Sequence, residues 1–252
     1  MIMTICGLAL AAVGMWALSV KLKNVAIVDC TWGLFFCWII CCTDFTAGPR
    51  GWLMFSLVWF WGMRLSIYLT WRAYGKDEDR RYTEIRQQHN GFWWKSLFII
   101  FGFQAAIAFI VALPLQLSDP SSELSLVDAI GVSLWTIGFF FEVVGDWQLS
   151  RFLANPSNKN TVLNTGLWAW TRHPNYFGDA CIWWGLGIIG VAGGAPPLSF
   201  ASVLLMTWLL RRFSGADRLE TTISNRRPGY KKYIETTPAF IPNPFRKRTS
   251  AG

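Results

Sequence analysis

Apolar and polar positions fall along this chain in long blocks. Apolar stretches cover residues 2–20, 25–42, 52–71, 96–117, 126–153, 176–192 and 197–210. A helix needs roughly 20 apolar residues to cross the hydrocarbon core of a bilayer. The blocks therefore predict an all-α, polytopic membrane fold with about seven transmembrane helices. The last two stretches are short. Between them runs Ala192-Gly193-Gly194-Ala195-Pro196-Pro197, a turn sequence, and the pair also reads as one broken element. No repeat and no separate soluble domain is visible, so residues 1–252 read as a single integral-membrane domain.

The connections between the blocks carry charge asymmetrically. The first has Lys21 and Lys23, the third Arg72, Lys76, Arg80, Arg81, Arg86 and Lys95, and the fifth Arg151, Lys159 and Arg172. The tail adds Arg211, Arg212, Arg218, Arg226, Arg227, Lys231, Lys232 and a basic end. The intervening connections hold Arg50 as their basic residue. Basic loops stay cytoplasmic, so the expected orientation is N-terminus outside and C-terminus in the cytoplasm, in the inner membrane if the source is bacterial. No basic region precedes the first stretch, which reads as a retained helix and not as a cleaved signal.

Composition agrees with a bilayer. Hydrophobic residues make up 53% and charged residues 15%, against about 25% charged in soluble domains. Sixteen residues are Trp, which suits membrane interfaces and packing between helices. The net charge of +8 could suggest nucleic acid. The basic residues sit beside spans, however, so topology and anionic lipid explain it and no nucleic-acid partner is expected. The six cysteines all fall inside apolar stretches without metal-ligand context and read as small apolar fillers.

Ionisable residues inside spans are expensive and mark function. In the third stretch Trp61, Arg64, Tyr68, Trp71 and Arg72 recur at helical spacing and form one stripe. It reads either as a ligand-facing wall or as interfacial anchors. Asp29 lies just inside the second stretch, one turn before Trp32 and Gly33. It is either a helix-start carboxylate or a carboxyl in a desolvated pocket, able to donate a proton. Glu142 and Asp146, four apart, share a face near the cytoplasmic end of the fifth stretch, with Gln148 and Arg151 following. They can hold ligand hydroxyls and amides, or pair with Arg.

The connection from Asn155 to Asp179 is rich in Asn, Thr and Gly, with Lys159, Arg172 and His173 interleaved. That mixture suits an anionic, ring-bearing ligand: cations for phosphate, amides for ring edges, indoles for stacking. Pro174 predicts a helix start, after which Asn175 and Tyr176 face the ligand.

Thr165-Gly-Leu-Trp-Ala-Trp-Thr-Arg-His-Pro-Asn-Tyr-Phe-Gly-Asp179 resembles the signature of the steroid 5α-reductase family, in its short bacterial branch. Val28-Asp29-Cys-Thr-Trp32-Gly33, Trp61-Gly-Met-Arg64-Leu65 with Tyr68 and Arg72, and Glu78-Asp79-Arg-Arg81-Tyr82 look like the same branch. So do Arg227-Pro-Gly-Tyr230-Lys-Lys-Tyr233 and Thr237-Pro-Ala-Phe-Ile-Pro242. The resemblance implies a seven-helix reductase. It would use NADPH to reduce the carbon–carbon double bond of a 3-oxo-4-ene steroid or related lipophilic enone.

By this resemblance Asn175 matches a family asparagine near the nicotinamide amide, and Asp146 a cofactor-contacting aspartate. Asp179 stands where eukaryotic members have Glu, and Glu142 where they have Asn. Asp29 stands at the catalytic Glu. Trp61 replaces a catalytic Tyr, so Tyr68 or Arg64 serves instead, and Glu220 replaces a tail tyrosine. The expected catalytic set is Asp29, Arg64 and Tyr68. The expected cofactor set is Arg72, Arg81, Tyr82, Glu142, Asp146, Lys159, Arg172, His173, Asn175, Tyr176, Asp179 and Glu220. The departures bear on the substrate more than on the cofactor.

Lys159, Arg172, Arg218, Arg226 and Arg227 exceed what a pyrophosphate needs, and a 2′-phosphate would use the surplus, which favours NADPH over NADH. No Gly-x-Gly-x-x-Gly turn is present, so no Rossmann domain is expected. The polar segments 73–95 and 154–172 are expected to order around the cofactor. Isoprenylcysteine carboxyl methyltransferases, which use S-adenosylmethionine, also carry an Arg-His-Pro-x-Tyr loop and are the competing resemblance. The polar stripe and the acidic-Arg-Tyr segment fit the reductase better. A non-enzymatic lipid-binding protein is the third reading.

Overall fold

The computed structural model describes residues 1–213, 227 and 229–245. The described residues are all-α, without strands. They divide into two compact groups, Met1–Ser125 with Ile189–Ser202, and Leu126–Ile188 with the chain from Val203 onward.

The first group contains α1 (Ile2–Leu22), α2 (Ile27–Cys41), α3 (Pro49–Ala73), α4 (Arg80–Gln88) and α5 (Phe92–Val111). Pro49 occupies the first turn of α3, where its missing N–H costs nothing. The α2–α3 pair is the centre of the group. A side chain at Gly33 would run into the backbone of Gly62, so two glycines let these helices touch. Cys37 Sγ, one turn on, lies 4.0 Å from the Val58 carbonyl oxygen, which fixes the antiparallel register. Val28, Phe35, Phe36, Ile39, Ile40, Met54, Val58 and Trp61 fill the interface and are buried. Phe36 packs edge-on against Trp61 at 5.4 Å and Trp32 at 5.1 Å.

Arg50, the basic residue in an otherwise non-basic connection, is 1% exposed. Its guanidinium donates to Ser122 Oγ and, over 2.7 Å, to the Glu123 carbonyl. Gly51 N donates to the Pro120 carbonyl at 3.0 Å, and Asp119 N to the Gly193 carbonyl at 2.7 Å. Arg50 is therefore a clamp on the 117–125 connection, which accounts for a cation in an otherwise non-basic connection.

The second group is built on α6 (Leu126–Ala154) and α7 (Pro174–Ala192), whose last residues belong to the first group. Gly131, Gly138 and Gly145 recur every seven residues on α6. A Cβ on Gly138 would meet the backbone of Gly178 and Ile182, and one on Gly185 the backbone of Gly131 and Trp135. This seam brings the two backbones into contact. The chain continues through α8 (Ala201–Trp208) to α9 (Tyr230–Thr236).

Ile2–Leu22, Pro49–Ala73, Phe92–Val111 and Leu126–Ala154 are long and apolar enough to cross a membrane, which is compatible with an integral membrane protein. The 25–42 stretch yields only the 15 residues of α2, about 22 Å of helix. The turn at 192–197 separates α7 from the apolar helix Pro197–Arg211, so the last two stretches are two elements.

Candidate functional site

In the first group the polar centre lies at the start of α2. Asp29 sits in its first turn. Two donors converge on its carboxyl: Arg81 Nη2 at 2.9 Å from Oδ2, and the Tyr82 hydroxyl at 2.6 Å from Oδ1. Both come from α4, a helix that the sequence marks only as part of a polar segment. Asp79 caps α4 by accepting from Arg81 N at 2.9 Å, and it also receives the Arg81 guanidinium at 3.1 and 3.3 Å. Arg81 is thus shared between two carboxylates.

A second pair secures the same segment. Arg86 meets Glu78 in bidentate fashion, at 2.7 and 3.1 Å, and Glu78 Oε1 also accepts from Val25 N at 2.7 Å. Glu78 therefore satisfies a backbone N–H at the entry to α2 that the helix itself leaves open. Arg86 also stacks over Phe92 at 4.8 Å. The part of the 73–95 segment around α4 is held by these bonds to α2.

Electrostatics follows the geometry. Tyr82 is buried, and burial, the Asp29 charge and its hydrogen bond to Asp29 hold its phenol well above the usual range. Burial alone would lower Arg81, but Asp29 and Asp79 outweigh it and keep the guanidinium strongly protonated. Burial pushes Asp79 up, whereas the bonds and charge of Arg81 prevail and leave its carboxyl below the usual range. Gln104 Nε2 reaches the Tyr82 hydroxyl from α5 at 3.5 Å.

The stripe read on α3 divides. Trp61 is fully buried in the α2–α3 interface, and Trp71 is 65% exposed. Arg64, Tyr68 and Arg72 stay together, the two guanidiniums stacking on the Tyr68 ring at 5.1 and 5.6 Å.

The second group has its own polar centre. Glu142 and Asp146 are each 3% exposed on α6. Asn175, in the first turn of α7, donates its amide N–H to Asp146 Oδ1 at 3.2 Å. A carboxylate accepts only, so Asp146 fixes which way the amide faces, and the Asn175 amide oxygen remains open to a donor. Pro174 begins α7 as the sequence indicates. His173 is buried and its ring stacks on Tyr176 at 5.5 Å. Asp179, one turn further, is 9% exposed.

The 154–172 connection is fastened on both sides. Gln148 Oε1 accepts from Leu167 N at 3.0 Å, and Trp168 Nε1 donates to the Gly145 carbonyl at 3.0 Å. Arg172 Nη1 donates to the carbonyls of Ile234 at 2.8 Å and Thr237 at 2.6 Å. Thr171 Oγ1 donates to the Phe240 carbonyl at 2.9 Å, and the Tyr233 hydroxyl to the Trp168 carbonyl at 2.5 Å. Arg172 thus anchors the tail as a buried cation. Lys159 is exposed, and Arg227 Nη1 donates to the Thr161 carbonyl at 2.7 Å. Glu220, Arg218 and Arg226 lie outside the described residues.

Residues 15–237 match the family described as "Protein of unknown function (DUF1295)". The chain belongs to DUF1295. A relative is an uncharacterized protein of Schizosaccharomyces pombe (strain 972 / ATCC 24843), 26% identical over 267 residues, covering 90% of this chain and 75% of the yeast protein. No solved structure matches.

In this DUF1295 chain the pairing of Asp29 with Arg81 and Tyr82 escapes a sequence reading, because the partners lie 52 and 53 positions away. One signal points to it. A carboxylate at the edge of an apolar span needs a partner, and the Glu78–Tyr82 segment offers a cation and a phenol in adjacent positions.

Proposed function

We propose that the protein is a membrane reductase that uses NADPH to saturate the carbon–carbon double bond of a 3-oxo-4-ene steroid or a similar lipophilic enone. In this reading it crosses the membrane seven times, with the N-terminus outside and the C-terminus and cofactor-binding connections in the cytoplasm. The observation that carries it is the set of hydrogen-bond donors gathered on Asp29 at the end of an apolar helix group. Adding hydride to an enone requires that charge growing on the carbonyl oxygen be stabilised. Arg81 keeps guanidinium N–H groups beyond those given to Asp29 and Asp79 and is suited to that task. The Tyr82 hydroxyl, whose one proton goes to Asp29, would serve by turning that proton to the substrate oxygen. Asp29, which accepts from both, orients them. Asp29 then acts through its neighbours. Arg64 and Tyr68 form the adjacent polar face on α3.

The residues present also fit the cofactor. NADPH, when bound, supplies the hydride. The Asn175 amide oxygen, turned outward by Asp146, can accept from a carboxamide N–H. Lys159 is an exposed cation for phosphate, while Arg172 holds the connection in shape. His173, Tyr176, Glu142 and Asp179 line the same stretch of α6 and α7 and are assigned to the cofactor with it.

The test is cofactor titration of the purified protein with NADPH, NADH and S-adenosylmethionine, followed by NADPH oxidation with a 3-oxo-4-ene steroid. NADPH should bind more tightly than NADH, and Lys159→Ala should narrow the difference. Tyr82→Phe should lower steroid turnover by roughly 10²-fold, the usual scale for losing a proton donor, with NADPH affinity little changed. Binding of S-adenosylmethionine without NADPH would replace this reading with methyl transfer.

A further inference from the structure

α5 changes its winding partway along. From Leu97 to Gly102 it is a π-helix, with α-helix on either side. Beyond Ser96, Gln104 is the one polar side chain that α5 carries, and a polar group inside an apolar span is costly and marks function. Its amide reaches the Tyr82 hydroxyl at 3.5 Å. Asp29 decides which amide atom faces the phenol. The phenol has one proton, and Asp29 Oδ1 takes it at 2.6 Å, so Gln104 has to present its N–H.

The π stretch accounts for that contact. A π turn holds one residue more than an α turn. Everything after it is therefore set back by roughly 100°, the angle of one residue at 3.6 per turn. Counted from Phe92 along an unbroken α-helix, Gln104 would stand about 120° round the axis. With the extra residue it returns to within about 20° of Phe92. That is the side of α5 that meets α4. Arg86 stacks over Phe92 at 4.8 Å, and Tyr82, one turn before Arg86, lies on the same face of α4. The part of α5 after the π stretch also packs on α2, which carries Asp29. π turns inside α-helices are frequent at functional sites.

Resting on the reductase reading, we infer that Gln104 is a positioning residue for Tyr82: its amide N–H holds the phenol oxygen while the O–H turns from Asp29 to the substrate oxygen. No proton changes owner in that step; the O–H changes direction. While it points at Asp29, the carboxylate fixes the hydroxyl through its proton. Once it points at the substrate, that tie is gone, and the Gln104 N–H keeps the phenol oxygen in place. The 3.5 Å separation is longer than the roughly 2.7–3.2 Å of settled N–H···O bonds, and catalytic hydrogen bonds often tighten only as the reaction proceeds. Gln104 acts through Tyr82 and not on the substrate itself.

The experiment uses the full chain in detergent as wild type, Gln104→Leu and Gln104→Glu. NADPH oxidation with a 3-oxo-4-ene steroid is followed across pH, and tyrosinate formation is followed in the near ultraviolet without steroid. Gln104→Leu should lower kcat about ten-fold, the scale of one hydrogen bond, with steroid KM unchanged and the melting temperature not lowered. Its late-ionising tyrosine should titrate still higher, because an N–H donor favours the phenolate. Gln104→Glu can donate only while its carboxyl is protonated. Its kcat should therefore approach wild type at low pH and fall to that of Gln104→Leu as pH rises. The surrounding charges are common to all three proteins: Asp29 from α2, Asp79 and Arg81 from α4, and Arg72 from α3. Wild-type kcat in Gln104→Leu, an unmoved tyrosine titration, or a Gln104→Glu profile that follows wild type would each overturn the inference. A shifted titration in a protein that oxidises no NADPH would instead sink the reductase reading and leave Gln104 as the residue that holds Tyr82.

Discussion

The Tyr82 hydroxyl donates to Asp29 Oδ1 over 2.6 Å, joining the first turn of α2 to a helix 53 residues later in the chain. With Arg81 on the other carboxyl oxygen, a short amphipathic helix is fastened to the end of a deeply apolar pair. This contact gives the polar centre of the first group its shape.

Alkaline titration should expose that contact. Burial and Asp29 raise the Tyr82 pKa above the ordinary 10.0. A group with a raised folded-state value stabilises the fold below its unfolded value, and that contribution is lost as pH rises through the folded value. Near-ultraviolet titration of tyrosinate should therefore show one phenol ionising well above pH 10.0, absent from Tyr82→Phe, and proteolysis near α4 should accelerate in step with it. A full complement of tyrosines titrating together near 10.0 would contradict the arrangement.

Arg172 is expected to matter for stability before it matters for chemistry. Replacing it with Met leaves the carbonyls of Ile234 and Thr237 without their buried donor. Charged hydrogen bonds of this kind contribute about 1.5–3 kcal/mol each, so thermal unfolding should fall by several degrees and the tail should become cleavable. Arg172→Met with unchanged melting and reduced phosphate affinity would move the residue to direct cofactor contact.

Close helix contact in the second group predicts a sharp contrast between two similar substitutions. Gly138→Ala places a methyl against the backbone of α7 and should cost about 1–3 kcal/mol or more. Gly14→Ala on α1 meets nothing within 4 Å and should stabilise by about 0.5–1 kcal/mol through helix propensity. Denaturation midpoints of the two variants, measured side by side, check the pair.

Asn175 offers a test of amide orientation. Asn175→Ala should weaken NADPH binding and lower turnover at saturating cofactor. Asn175→Asp should do more harm, since it sets a second carboxylate at hydrogen-bonding distance from Asp146. Equal affinity for NADPH in all three proteins would remove the residue from the cofactor site.

Apolar blocks made the helical class and most helix boundaries legible, because a membrane span needs its length of apolar residues regardless of its neighbours. Pro174 marked the start of α7 for an equally local reason. Periodicity on α3 misled in part: Trp61 shares a face with Tyr68, but only Trp61 lies deep enough in the α2–α3 pair to be buried. The partners of Asp29 were invisible, since nothing in a sequence gives the distance between residues 29 and 82. The work of Arg172 was equally hidden, because a cation in a polar loop looks the same whether it meets phosphate or backbone carbonyls.

The glycines spaced by seven on α6 have a consequence for how the chain assembles. Sliding α7 along α6 by one heptad would set Gly138 against Gly185 and Gly145 against Gly178, again glycine on glycine. The seam alone therefore tolerates two alignments of nearly equal closeness. What distinguishes them lies beyond the seam: the Trp168 indole on the Gly145 carbonyl and the Leu167 amide on Gln148 can form in only one. The polar connection acts as a ruler, selecting the correct alignment of two helices that would otherwise slip.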